Sequence, residues 1–173
     1  MTGSRGAAAP PRAQGGVARH GAAIFDEAPH DPYETRGKYA EPSRCRECGA
    51  VYRRGRWHWG ESAAGAHEVL CPACHRIRDR LPAGTVTLEG AFVAAHRDEI
   101  SRFVHHEEAR EKAEHPLHRL VEIVHAPDGM TVTTTDIHLP RRIGTALKHA
   151  YRGDLDIDYA KGEYEVRVRW HRE

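Results

Sequence analysis

Apolar and polar positions change period several times along this chain. Phe92, His96, Ile100, Phe103 and Val104 share one helical face between Gly90 and His115, and Pro116 ends the run. The period then drops to two. Leu120, Glu122 and Val124 alternate with Val121, Ile123 and His125, and Pro127 to Gly129 supplies turn chemistry for a hairpin. A second helical stripe, Leu139, Ile143, Leu147 and Ala150, runs from a cap at Thr135 or Asp136 to Tyr151; Pro140 is tolerated in its first turn and Gly153 stops it. "DLDIDYAKGEYEVRVRW" alternates on both sides of a Lys161-Gly162 turn and predicts a second hairpin. The order is helix, hairpin, helix, hairpin. A four-stranded antiparallel sheet with both helices on one face buries those stripes most simply.

Upstream, the elements are shorter. Ala50 to Tyr52 and Trp57 to Trp59 flank a turn at Gly55, and "HEVL" predicts a third strand. "DRLPAGTVTLEG", with Pro82 and Gly84, reads as a linker containing a short extended piece. Residues 1–43 are rich in Gly, Ala, Pro and Arg without a sustained apolar period, and predict a disordered tail. Because Arg5, Arg12 and Arg19 precede the first acid, a mitochondrial transit peptide is the rival reading, opposed by the Gly and Pro content.

The short upstream strands matter because they surround all four cysteines. Cys45 and Cys48 form one Cys-x-x-Cys pair, Cys71 and Cys74 another, with 22 residues between them. Such a pair lets one tight turn aim two thiolates at one point; Gly49 can close the first turn and Pro72 pre-sets the second. Four soft ligands then make a closed tetrahedral site, and one structural Zn²⁺ is the expected occupant. An iron–sulfur cluster suits the same ligands, whereas disulfides need an oxidising compartment and a redox pair needs only one such motif. The expected fold class is therefore α+β: a zinc ribbon at 44–80, a linker at 81–89 and an α-β-β-α-β-β module at 90–173.

Charge refines this picture. The chain of 173 residues carries 26 basic and 25 acidic residues, so no global field draws it to nucleic acid. The distribution is uneven: Arg44 to Leu88 is net +4, and Glu89 to His118 is net -3. Arg53, Arg54, Arg56, Arg76 and Arg78 crowd the ribbon beside Trp57. Guanidinium forks grip phosphates and aromatic rings stack on unpaired bases, so these residues are candidates for contact with RNA. Arg141 and Arg142 on the later helix are candidates for a second basic surface. An acidic protein partner would meet the same arginines, and a protein-interaction adaptor is the competing class.

"CRECGAVY", "CPACHRIRD", "REKAEHPLHR" and "TTTDIHLPRRIGTALKHAYRGDLD" resemble a group of bacterial four-cysteine zinc-ribbon proteins over about residues 44–170. At the cysteines and at "TTTDIHLPRRIGTAL" the chain also resembles, more distantly, the large-ribosomal-subunit export adaptor family and its archaeal members. That resemblance implies a strand-to-helix step with an Arg in the helix's first half, the place of Arg141 and Arg142, and it implies association with a ribosomal subunit. Export adaptors carry more cysteine pairs and further β domains.

No Gly-rich phosphate loop, nucleophile elbow or His-Glu-x-x-His motif is present, so neither enzymatic activity nor a small-molecule substrate is expected. No apolar run approaches the roughly 18 residues of a membrane span, and a cytoplasmic protein is the expectation. Among 14 histidines, His115 and His118 straddle Pro116, where they can converge; with no carboxylate cluster recognisable beside them, they are read as ordinary surface residues.

Overall fold

The computed structural model describes residues 31–33, 39–61, 64–160 and 164–173. Most of the expected tail and the Lys161-Gly162 turn lie outside these residues. The described part of the tail packs on the ribbon: Tyr39 meets Tyr52 and Trp57 with ring centroids 5.1 Å from each.

The ribbon comprises β1 (Ser43–Cys45), β2 (Val51–Arg53), β3 (Arg56–His58), β4 (His67–Val69) and α1 (Pro72–Asp79), with strand order β3-β2-β1-β4. The hairpin and the third strand were legible. The strand at Ser43–Cys45 was not, and it is this strand that joins them: it runs antiparallel to β2 and parallel to β4. Arg54 and Gly55 both take positive φ, 55° and 76°, in a two-residue turn whose hand matches the strand twist. The Glu41 carboxylate accepts both of their N–H groups, at 2.8 and 2.9 Å.

The second module contains β5 (Gly84–Glu89), α2 (Ala91–Ala95), α3 (Arg97–Glu114), β6 (Leu120–Ala126), β7 (Gly129–Thr134), α4 (His138–Tyr151), β8 (Asp154–Tyr159) and β9 (Val166–His171). Its sheet corrects the expected layout. The sheet has five strands in the order β6-β7-β5-β9-β8, and it is mixed, because β5 is antiparallel to β7 but parallel to β9. The segment expected as a linker is thus the central strand. The two hairpins do not pair with each other; each docks on one edge of β5. The physical cause is its alternation: Val86 and Leu88 are fully buried, while Thr85 and Thr87 face the other way. The single helix expected over Gly90–His115 is two, parted at His96.

One core holds this module together, with Val86, Leu88, Met130, Val132, Val168 and Trp170 from the sheet against Val93, Ile100, Val104, Leu139, Ile143 and Leu147 from the helices. Trp170 satisfies its buried indole N–H on the Arg152 carbonyl, 2.8 Å away. Asp136 caps α4 by accepting the N–H groups of His138 and Leu139 at 2.6 and 3.0 Å. Gly144 lets α4 approach β8 and β9 closely, since a Cβ there would lie 2.6 Å from Val168 and 2.8 Å from Leu155.

Two consequences can be measured. A fragment beginning at Pro82 should unfold cooperatively in urea, whereas one beginning at Gly90, lacking the central strand, should show no cooperative transition by circular dichroism. Gly144→Ala gains about 1 kcal/mol of helix propensity, but overpacking costs about 1–3 kcal/mol. The variant should therefore be less stable than wild type, and equal or greater stability would show that α4 can shift to admit the methyl group.

Candidate metal centre and basic rim

Each Cys-x-x-Cys turn is built by local backbone chemistry. Cys45 ends β1; its N–H donates to the Ala50 carbonyl at 2.8 Å, and its carbonyl accepts from Gly49 N–H at 2.9 Å. Gly49 takes φ +78°, which closes the knuckle. Cys71 caps α1, with Pro72 in the first turn, and its sulfur accepts the Cys74 N–H at 3.4 Å. The parallel β1–β4 pair brings the two knuckles together, and Cys71 N–H reaches the Cys45 sulfur at 3.4 Å.

The result is one four-cysteine cluster, Cys45, Cys48, Cys71 and Cys74, with all ligand atoms within 4.8 Å of one another. Cys48 and Cys71 sulfurs stand 3.7 Å apart, too far for a disulfide. Tetrahedral thiolates about 2.3 Å from a metal lie ~3.8 Å apart. The geometry and the soft donor set therefore fit one metal ion. Three of the four cysteines are buried, and Ala50, Leu70 and Ala73 seal the cluster.

One sulfur of the cluster, that of Cys48, is held as the thiolate by its neighbours. Hydrogen bonds from Cys71 and Cys74 hold the Cys48 pKa down to about 2, while the bond to Cys48 raises that of Cys71 and pushes Cys74 up to about 12. Arg119, which precedes β6, donates Nη1–H to the Cys74 sulfur at 3.1 Å. Burial opposes its charged form, but the bond to Cys74 and the charge on the sulfurs outweigh that and raise its pKa. Leu117 packs on the same cluster. The α/β module thus supplies part of the ribbon's wall. Arg119 was not among the residues expected from the sequence, because its role depends on a contact 45 positions away.

The expected nucleic-acid residues separate into two groups. Arg53, Arg54, Arg56 and Arg78 are exposed, as are Arg44 and Arg46. Arg76 is not: at 3% exposure it bridges to Asp31, donates to the Leu81 carbonyl at 3.0 Å and lies 4.6 Å over the Tyr33 ring. It therefore staples the upstream segment to α1 and has no face left for a ligand. Trp57 is half-buried among Tyr39, Tyr52 and the metal cluster's apolar wall. The more open ring is Trp59, at 36% exposure, and its indole N–H donates to the Lys112 carbonyl at 2.5 Å. Arg141 is exposed beside a cleft of about 650 Å³ between α3 and α4, whereas Arg142 pairs with Glu107 and Glu111 at 3.6 and 2.9 Å. These two acids continue the buried Ile100 and Val104 stripe of α3. That continuation, apolar then acidic on one face, was readable in the sequence and went unread.

No family model, curated protein or solved structure matches the chain. Among the described residues, no helix is long and apolar enough to cross a membrane.

Because Arg119 touches a ligand from outside the ribbon, Arg119→Ala should weaken metal retention by about 10- to 100-fold, read by competition with a chromophoric chelator. Arg119→Lys should recover only part of this, since charge is kept but the guanidinium's reach to sulfur is lost. Unchanged retention in both variants would reduce Arg119 to a packing role.

Proposed function

We propose that this chain is a zinc-ribbon protein that binds RNA, with a ribosomal subunit as its partner, and that the metal shapes the binding surface without taking part in catalysis. The observation that carries this reading is the exposed arginine rim on the metal-centred module. Arg53, Arg54 and Arg56 crowd the tip of the β2–β3 hairpin, whose turn is pinned by Glu41, and Arg44, Arg46 and Arg78 are exposed on the same module. A rigid turn carrying guanidinium groups suits phosphate oxygens and loses little conformational freedom on binding. Zinc is the assigned metal because four cysteines form a closed set with no open position. A cytoplasmic setting belongs to this reading, since the ligands must stay reduced.

The placement of the rings shapes the mode of binding. With Trp57 packed inside and Trp59 tethered to α3, the hairpin offers charge rather than a stacking platform. Contact is then to the backbone and tolerant of sequence. The same observation supports the second reading, an adaptor whose arginines meet an acidic protein surface.

Two measurements test this. Elemental analysis should find tightly held zinc, about one ion per four-cysteine site, lost together with ribbon structure in Cys71→Ser; iron and a brown colour would overturn the zinc assignment. For RNA, changing Arg53, Arg54 and Arg56 together to Gln should lower the salt slope of single-strand binding by about 2, at ~0.7 per phosphate contact. Identical slopes for wild type and the triple variant would exclude the hairpin as the RNA site. Retention of a single protein partner after ribonuclease would favour the adaptor.

A further inference from the structure

A second cluster of metal-ligating side chains lies away from the cysteines, at the C-terminal end of α3. Glu111 and His115 stand one helical turn apart, and the turn through Pro116, closed by His118 N–H on the His115 carbonyl at 2.9 Å, brings His118 back to them. One donor atom from each of Glu111, His115 and His118 falls within 4.8 Å of the other two. The Oε1 atom of Glu111 is 3.0 Å from His118 Nδ1 and 3.8 Å from His115 Nε2. Donors about 2.0–2.1 Å from a tetrahedral ion lie ~3.3 Å apart. Small side-chain rotations reach that spacing, and His115 is half-exposed and able to make them.

The surroundings supply an independent reason for a cation. Glu107, Glu111 and Asp136 are only 5%, 8% and 3% exposed. Against these three carboxylates stand two guanidiniums, Arg110 on Glu107 and Arg142 between Glu107 and Glu111. With His115, His118 and His138 neutral and Asp136 ionised, one negative charge is left over. Asp136 faces His118 Nε2 at 3.8 Å through Oδ2, while its buried Oδ1 has no hydrogen-bond partner. A carboxylate only accepts, so His118 Nδ1–H donates the 3.0 Å bond to Glu111 Oε1; a metal bound at Nδ1 displaces that proton, and the Asp136 carboxylate on the far side of the ring favours the tautomer that carries it on Nε2.

From these distances and this charge balance we infer that Glu111, His115 and His118 form a second metal site, distinct from the four-cysteine centre, for a divalent ion of borderline softness such as Zn²⁺. Two nitrogens and one oxygen suit that class better than Ca²⁺ or Mg²⁺, which take oxygen ligands. Asp136 is the positioning residue that sets the His118 tautomer, and Arg142 holds the other Glu111 oxygen. Three protein ligands leave a coordination position, and the cleft lined by Glu111, Arg110, Arg141 and Arg142 adjoins it. The proposal does not depend on RNA binding.

The test uses the intact chain with its cysteine site already loaded with zinc. Titration calorimetry with Zn²⁺ alone should show uptake of one further ion per chain, removable by a weak chelator that leaves the first in place. Co²⁺ added to the same zinc-loaded protein should give visible d–d bands without the near-ultraviolet thiolate charge-transfer bands of a cysteine site. His115→Ala, at a half-exposed side chain that carries no core packing, should abolish the second uptake and leave the first. Asp136→Asn should weaken it about 10- to 100-fold. His115→Ala taking up the second ion like wild type, or wild type taking up none, overturns the proposal; should Asp136→Asn be misfolded by circular dichroism, the His115→Ala result decides alone.

Discussion

Four sulfur atoms at one point stand where the N-terminal module would otherwise need a hydrophobic core. Each of its strands is three residues long, and the buried residues packed on the cysteines are the small Ala50 and Ala73 with Leu70, joined by the partly buried Trp57 and Leu117. Fully burying a large apolar side chain contributes about 1.5–3 kcal/mol, whereas a structural zinc contributes about 10–16 kcal/mol of apparent binding free energy. A metal held by the four cysteines would therefore outweigh what these few side chains contribute to the sheet. The exposed arginines of the hairpin are held from two sides, by Glu41 at the turn and by the knuckles behind the strands.

That constraint does not end at the ribbon's boundary. Arg119 lends a guanidinium to Cys74, Leu117 closes the apolar wall and Trp59 bonds to the last turns of α3. Thr135 holds this connection by accepting Arg119 N–H and donating its hydroxyl to the Leu117 carbonyl. The sheet and its helices thus act as scaffold for one side of the metal cluster. The two modules have separate cores but share a wall, so the end of one and the start of the other is a surface rather than a position in the chain.

What was legible in the sequence was local. The Cys-x-x-Cys turns, the two downstream hairpins and the α4 cap each depend on residues a few positions apart, and their signals lie side by side. The central strand failed that test. Its Pro82 and Gly84 read as loop punctuation, yet Gly84 is small because Pro140 and Thr134 press against it, a contact across the fold. Its neighbours β7 and β9 are some 45 and 80 residues away along the chain, beyond the reach of any periodicity. The arginines failed in a similar way: Arg76 and Arg78 are indistinguishable in composition, but only Arg76 meets Asp31 and Tyr33.

The acids of α3 show the same dependence on distant contacts. On an isolated helix Glu107 and Glu111 read as a solvated face, and solvation costs nothing. Packed against α4 they lose water, and each buried carboxylate must be compensated by charge or hydrogen bonds. A leucine at either position would extend the Ile100 and Val104 stripe without that cost, so the acids are a burden on folding that α4 offsets with Arg142. The segment that follows them then alternates in what it serves. Leu117 and Arg119 turn to the cysteines, while His118, between them, turns to Glu111 and Asp136. Three successive residues therefore fix the geometry of both clusters, and a displacement of that backbone that moves Arg119 from Cys74 must also move His118 from Glu111.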